Sequence, residues 1–391
     1  AMPPFARRAE VTETANAFTE ALAEARARAE PLFDLSSGNP TEQGLGLTES
    51  QLRTLLVPPG SASYQPAPFG MWSARAAHAR DLALRGLKVD PAQIMLTAST
   101  SEAYAFLFKL LCDPGDALLV PEPSYPLLDV LARVEGVELV RYALRYDGEW
   151  HVDPASLRAG LTRAGQGARA IVSVNPNNPT GSFLKRDELA LLAGTGLPLV
   201  SDEVFADYAL SRPPALPSVL ANPHEQLVFR LSGLSKELAL PQLKLAFTCI
   251  AGPEPLVRAA CARLEHIADA YLSPATPVQL ALPALLERRP SVQGEILARL
   301  RQNQATLRRA LANSCATPLH VEGGWYAVVR LPDVMSDEAL CLELLTSRRV
   351  IAQPGYFFDL PDAHAVVSLI VRPESFAEGC TRLRALLDEL G

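Results

Sequence analysis

Along the middle of the chain, short unbroken apolar runs alternate with stretches of helical spacing. Ile94-Met-Leu-Thr97 predicts a strand, and residues 101–112 the helix that follows it. Ala117-Leu-Leu-Val120 with 127–134, and Ala170-Ile-Val-Ser-Val174 with 185–193, repeat the unit. Val137-Glu-Leu-Val140, Leu197-Pro-Leu-Val200, Leu227-Val-Phe-Arg230 and Ala246-Phe-Thr-Cys-Ile250 predict further strands. Strands that read as continuous apolar runs are buried on both faces. Alternation with helices makes the sheet mostly parallel. The expected fold class is therefore α/β, a three-layer αβα unit.

The flanking segments differ. Residues 12–29 carry helical periodicity, 35–70 read as loops rich in Gly, Pro, Ser and Asn, and 71–84 read as a helix. Residues 255–271 and 277–311 are long and helical. Strands near 320–322, at 325–331 and at 366–370 follow, with helices at 336–348 and 376–390, which suggests a smaller α+β unit.

The 391 residues are 48% hydrophobic, enough for a substantial core, and the net charge of -7 gives no reason to expect nucleic-acid or anionic-membrane binding. The six cysteines are scattered without a C-x-x-C pair, and the six histidines lack ligand spacing, so neither a disulfide framework nor a metal site is expected. No signal-peptide core or membrane-length apolar run is visible, and a cytoplasmic protein is expected.

Among 36 basic residues only Lys88, Lys109, Lys185, Lys236 and Lys244 are lysines. Lys236 follows the small, hydroxyl-rich turn Ser232-Gly-Leu-Ser235. An ammonium loses its proton when its surroundings disfavour charge, and a guanidinium does not. The chemistry that most needs such an amine is Schiff-base formation with a carbonyl, pyridoxal phosphate (PLP) included.

Three further elements end predicted strands, where ligands of open α/β sheets bind. Thr97-Ala-Ser-Thr-Ser-Glu-Ala103 opens a helix whose free N–H groups at Thr100 and Ser101 suit a phosphate. Asn175-Pro-Asn-Asn-Pro-Thr-Gly181 offers a side-chain amide. Asp202-Glu203 delivers a carboxylate that needs a partner, and a protonated pyridine nitrogen is one. Singly, each has a structural explanation: a capped helix, a tight turn, a capping aspartate, a surface lysine. Their order, each after a separate strand, favours the cofactor.

Together these residues resemble the class I/II aminotransferases, fold-type I PLP enzymes, over nearly the whole chain. Ser63-Tyr64 with Gly70, Pro121-Glu-Pro-Ser-Tyr125, Gly323-Gly-Trp-Tyr326 and Gln353-Pro-Gly-Tyr356 extend the likeness. The resemblance implies that Lys236 forms the Schiff base and shuttles the proton. It implies that Asp202 pairs with the pyridine nitrogen, that Asn178 bonds the ring's phenolic oxygen and that Tyr125 stacks on the ring. Thr100, Ser101, Ser235 and Lys244 would hold the phosphate, with Tyr64 reaching it from the second subunit of a homodimer. A large domain over 55–280 and a small one from 1–54 and 281–391 are implied. The activity implied is transfer of an amino group from an amino acid or related amine to a 2-oxo acid. The alternative is a PLP-dependent lyase, decarboxylase or γ-replacement enzyme on the same fold. A non-enzymatic PLP sensor is a third reading, disfavoured because no length is spare for a DNA-binding domain.

The chain departs from the family pattern in places. Lys244 stands where an arginine is usual, Gln242 and Ala246 where glycines are, and Phe205 where a tyrosine often contacts the cofactor. Val366 falls at the arginine that binds the substrate carboxylate, and Arg372 lies six residues on. The standard clamp is therefore expected to be missing, and common donors such as aspartate or alanine are expected to bind weakly. Trp325, Tyr326 and Phe357 suggest an aromatic-lined pocket or, equally, core packing.

Overall fold

The computed structural model describes residues 5–10, 16–28, 31–211, 213–214, 216–361 and 363–390. Its centre is an eight-stranded sheet. The strands are β1 (Ile94–Thr97), β2 (Ala117–Glu122), β3 (Glu138–Tyr146), β4 (Trp150–Val152), β5 (Ala168–Val174), β6 (Leu199–Asp202), β7 (Val228–Gly233) and β8 (Ala246–Ala251). Their order is β1-β8-β7-β6-β5-β2-β3-β4. Strands β7, β6, β5, β2 and β3 are parallel, whereas β8 opposes both β1 and β7, and β4 returns antiparallel on β3.

Successive residues point to opposite faces of a strand, so a strand covered on both sides must be apolar throughout. Leu118, Val120, Val200 and Phe229 pack with Leu107, Val257 and Leu264 of the helices Thr100–Leu111 and Glu254–Asp269. Their neighbours Leu119, Leu199 and Val228 pack on the other face with Leu157, Leu189 and Leu192. The three-layer expectation holds for this physical reason.

A four-stranded antiparallel sheet stands apart from the first. It joins Thr317–Pro318, Tyr326–Arg330, His364–Ser368 and Gln353–Pro354 in that order. The N-terminal segment belongs to this side of the molecule, because Phe33–Asp34 pairs in parallel with Val350–Ile351. The terminal helix Pro373–Leu390 packs on the long helix Arg289–Leu311 through Leu383, Leu387, Leu300 and Leu307.

Several local expectations need correction. The 35–70 segment is not all loop, since Thr48 and Gln51 form a reciprocal capping box that starts the helix Glu49–Leu55. Strand β3 runs nine residues and turns back into β4, and Asp153 then caps the helix Pro154–Ala164. The 277–311 stretch divides into Thr276–Leu286 and Arg289–Leu311, with Pro290 in the first turn of the second helix, where a missing N–H costs nothing. Residues 320–322 are not a strand. Glu322 instead takes Lys185 Nζ at 3.1 Å and the Phe183 N–H at 3.2 Å. The helix expected at 12–29 spans Ala17–Ala27, capped by Asn16; residues 12–15 and 29 of that expectation lie outside the described residues.

Candidate active site

Parallel strands place their carboxyl ends on one edge, and here that edge collects the chemistry. Strands β5, β6 and β7 end at Val174, Asp202 and Gly233. Because β8 runs the other way, its beginning lies there too: Ala246 pairs with both Thr97 and Gly233, which brings Lys244 to the same edge. Gly233 is packed tightly, since a Cβ there would come within 3.1 Å of that of Ala246. The result is a cavity of about 310 Å³.

Lys236 lines this cavity from the one-turn helix Leu234–Glu237. Its ammonium nitrogen lies 4.9 Å from the Trp325 ring centroid and 5.6 Å from that of Phe205. Burial lowers its pKa to about 8, against an attraction from Asp202 that works to raise it. The backbone here is anchored. The Tyr208 hydroxyl donates to the Lys236 carbonyl, and Gln293 Nε2 donates to the Glu237 carbonyl at 3.1 Å.

The pleat sends Asp202 into the cavity and Glu203 away from it. Asp202 is 3% exposed. Its Oδ2 accepts from the Tyr104 hydroxyl at 2.9 Å and from the Tyr125 hydroxyl at 3.4 Å, and Oδ1 accepts from the Val204 N–H at 3.3 Å. Burial raises the carboxyl pKa and these hydrogen bonds oppose that rise. Behind the site, Glu203 receives Arg230 Nε at 2.9 Å, with the Val219 N–H at 2.8 Å on its other oxygen. Arg230 NH2 is 3.9 Å from Glu237, the residue after Lys236. A single guanidinium thus bridges the neighbours of the acid and the amine.

Thr100, Ser101, Ser235 and Lys244 line the same cavity. Ser99 caps the helix, accepting the Glu102 N–H at 3.1 Å, but the Glu102 carboxylate turns to the Ala98 N–H at 2.7 Å, so the return limb of the expected capping box is displaced by one residue. Lys244 is exposed and left-handed, with φ 53°. Asn178 faces the cavity, and its buried Oδ1 has no protein partner. Tyr125 lines it as well. Tyr64 does not: it is 68% exposed, beside Leu272 and Ser273 in a separate depression.

Sequence reading missed Tyr104. The available signal was its spacing, since position 104 is one turn from Thr100 on the same helix face. Of the three aromatic candidates, Tyr326 lines the cavity, Trp325 lies beneath Lys236, and Phe357 packs away from it with Phe18 and Tyr356. Tyr356 lies outside the cavity and engages Asn16 and the Asp337 carboxylate. Gly38 abuts the Tyr326 hydroxyl so closely that a Cβ there would collide with it, which brings the N-terminal loop against this wall.

Neither expected carboxylate position reaches the cavity. Val366 is 1% exposed and packs with Trp150, Leu319, Val328 and Phe358. Arg372 lies against the 42–44 loop, its N–H donating to Gln43 Oε1 at 3.0 Å and its guanidinium to the Glu42 carbonyl at 3.5 Å. Among the described lining residues the cations are Lys236 and Lys244.

A neutralisable amine and an acid at the sheet's carboxyl edge, sharing one cavity with a helix N-terminus and hydroxyls, are the equipment of a PLP-dependent enzyme. The family model for aminotransferase class I and II matches residues 32–382, and the chain belongs to that family. Among curated relatives, nicotianamine aminotransferase A of Hordeum vulgare is 26% identical over 83% of this chain and 73% of its own length. The alanine aminotransferase of Mycobacterium tuberculosis is 26% identical over 84% and 79% respectively. The solved alanine aminotransferase of Pyrococcus furiosus superposes with a TM-score of 0.88 at 22% identity, covering 98% of this chain and all of that one, and so shares its fold. The protein is a PLP-dependent aminotransferase, and the lyase alternative is not favoured by these relatives. No helix of the described residues is long and apolar enough to cross a membrane.

The residues present fit PLP. The cavity holds the Asn178 side-chain amide, one buried acid, one amine of lowered pKa, and a hydroxyl-rich helix N-terminus with a lysine. A planar, phosphorylated pyridine aldehyde needs each of these.

Proposed function

We propose that Lys236 is the Schiff-base lysine and proton carrier of this aminotransferase, with Asp202 facing the ring nitrogen. The observation that carries this is the pair itself: an amine whose pKa burial lowers to about 8 shares one cavity with a buried carboxylate. When bound, PLP supplies an aldehyde for the amino group and a ring that accepts electron density. The protein does the rest. Thr100, Ser101, Ser235 and Lys244 orient the phosphate, Asn178 meets the phenolic oxygen, and Tyr125 covers the ring. Lys236 Nζ, freed when the substrate amine takes its place, would carry the Cα proton to the cofactor carbon that bears the amino nitrogen, so it must be uncharged when it takes that proton.

Division at 55–280 leaves a small unit from both chain ends, and Tyr326 and the Gly38 loop bring that unit to the cavity wall. Exposed Tyr64, Trp72 and Leu272 support a homodimer in which the partner's copy of position 64 completes the phosphate site. The six free cysteines support a reducing, cytoplasmic location.

The lining favours an amino donor with an apolar or aromatic side chain, because Phe205, Tyr326, Leu127, Val174 and Val204 contribute to the walls and no arginine does so among the described residues. Adding candidate donors one at a time to the PLP-loaded protein tests this. Replacement of its visible band by that of pyridoxamine phosphate, with release of the keto product, supports transamination and identifies the donor. Ammonia or carbon dioxide release without pyridoxamine phosphate overturns it.

Arg372→Ala is expected to leave KM for α-amino donors within about twofold, as for an ordinary surface substitution. A large rise in KM with unchanged kcat would make Arg372 the carboxylate clamp after all.

A further inference from the structure

We propose that Tyr104 is a positioning residue for the ring-nitrogen end of the cofactor site, holding Asp202 through Oδ2 and setting how much negative charge that carboxylate presents. The inference rests on Asp202 being the acid that faces the ring nitrogen.

Tyr104 has no exposed surface. It sits one turn into the helix Thr100–Leu111, whose first residues line the phosphate end of the cavity. Residues four apart on a helix share a face. One rigid element therefore carries Thr100 and Ser101 to the cavity wall and Tyr104 to Asp202 behind it. The hydroxyl lies 2.9 Å from Asp202 Oδ2, shorter than the 3.4 Å of Tyr125, which sits on a loop.

The arrangement has a chemical consequence. A phenol that donates to a carboxylate withdraws part of its charge, and burial makes the bond stronger than it would be in water. Burial and Asp202 keep the Tyr104 proton in place well above the usual phenol range, so the group remains a donor. The other titratable groups facing Asp202 are Tyr125 from the loop after β2, Lys236 from the turn after β7, and Glu203 beside it on β6. Glu203 is already held by Arg230 and Tyr125 is the longer contact, which leaves Tyr104 as the short bond that tunes the acid.

Tyr104→Phe removes one buried oxygen and tests this in the full-length protein. PLP binding to the cofactor-free variant, followed by absorbance titration, is expected to weaken about tenfold. In the loaded variant Asp202 presents more negative charge to the positively charged form of the linkage at Lys236. The pH midpoint of the visible band is therefore expected to rise. Phe108→Leu, in the ring that packs on Tyr104 at 5.8 Å, supplies the packing control: it lowers thermal stability without moving that midpoint. A thermal-stability cycle with Asp202→Asn in the cofactor-free protein adds a readout independent of activity, and non-additive losses support the bond. Unchanged PLP affinity with an unchanged midpoint, or additive losses in the cycle, overturns the role of Tyr104 alone. A wild-type protein that develops no visible band with PLP overturns the cofactor reading beneath it.

Discussion

Lys236→Ala is expected to lower transamination by at least about 10⁴-fold, because it removes the group proposed both to hold the cofactor and to move the Cα proton. The fold should survive, since the loss is of an amine at a cavity wall while the backbone anchors from Tyr208 and Gln293 act on carbonyls that alanine retains. Small primary amines in solution should restore part of the lost rate. A variant that keeps turnover within tenfold of wild type would remove Lys236 from the mechanism.

The amine's titration gives an independent check. In the cofactor-free protein, labelling of Lys236 by an amine-reactive reagent, read by mass spectrometry of the peptide, should show a midpoint near about 8. The linkage has a definite sign. Lys236 has its pKa lowered from 10.5 to about 8 in the folded chain, so between these values the unfolded chain holds a proton that the folded chain lacks. Stability contributed by this group therefore rises with pH from about 8 to 10.5, and the full burial penalty applies below 8. Lys236→Ala should abolish that slope in the cofactor-free protein.

Arg230→Met should have the largest effect on stability, about 3–5 kcal/mol by urea unfolding, because it leaves Glu203 buried without its ion-pair partner. Arg230 is 1% exposed and Glu203 likewise 1%, so solvent cannot replace the lost contact. A domain's whole stability is only about 5–15 kcal/mol, so the variant should be marginal. Adding Glu203→Gln should recover part of the loss by removing the orphaned charge, and a double variant as unstable as the sum of the singles would contradict the pairing. The consequence extends to the site, because the residues bridged by Arg230 are the immediate neighbours of Asp202 and Lys236.

Much of this was legible in the chain. Unbroken apolar runs such as Leu118–Val120 have one stable environment, a sheet covered on both faces, and the two clusters on either side of the central sheet supply it. Lys236, Asp202, Asn178, Thr100, Ser101, Ser235, Lys244 and Tyr125 meet in one cavity because each lies at or near a strand end on the same edge of the sheet. What was not legible depended on partners remote in sequence. Glu322 reads as strand until Lys185 claims it, and Tyr104 reads as core until Asp202, 98 residues away, accepts its hydrogen bond.

The division has a physical basis. Periodicity, capping residues and the scarcity of lysine are local properties, and they determined the layers and marked the candidate reactive groups. Hydrogen-bond geometry, the depth of burial that lowers the Lys236 pKa, and the absence of Val366 and Arg372 from the cavity walls are products of packing. They exist only once distant segments meet, and the tertiary structure alone decided them.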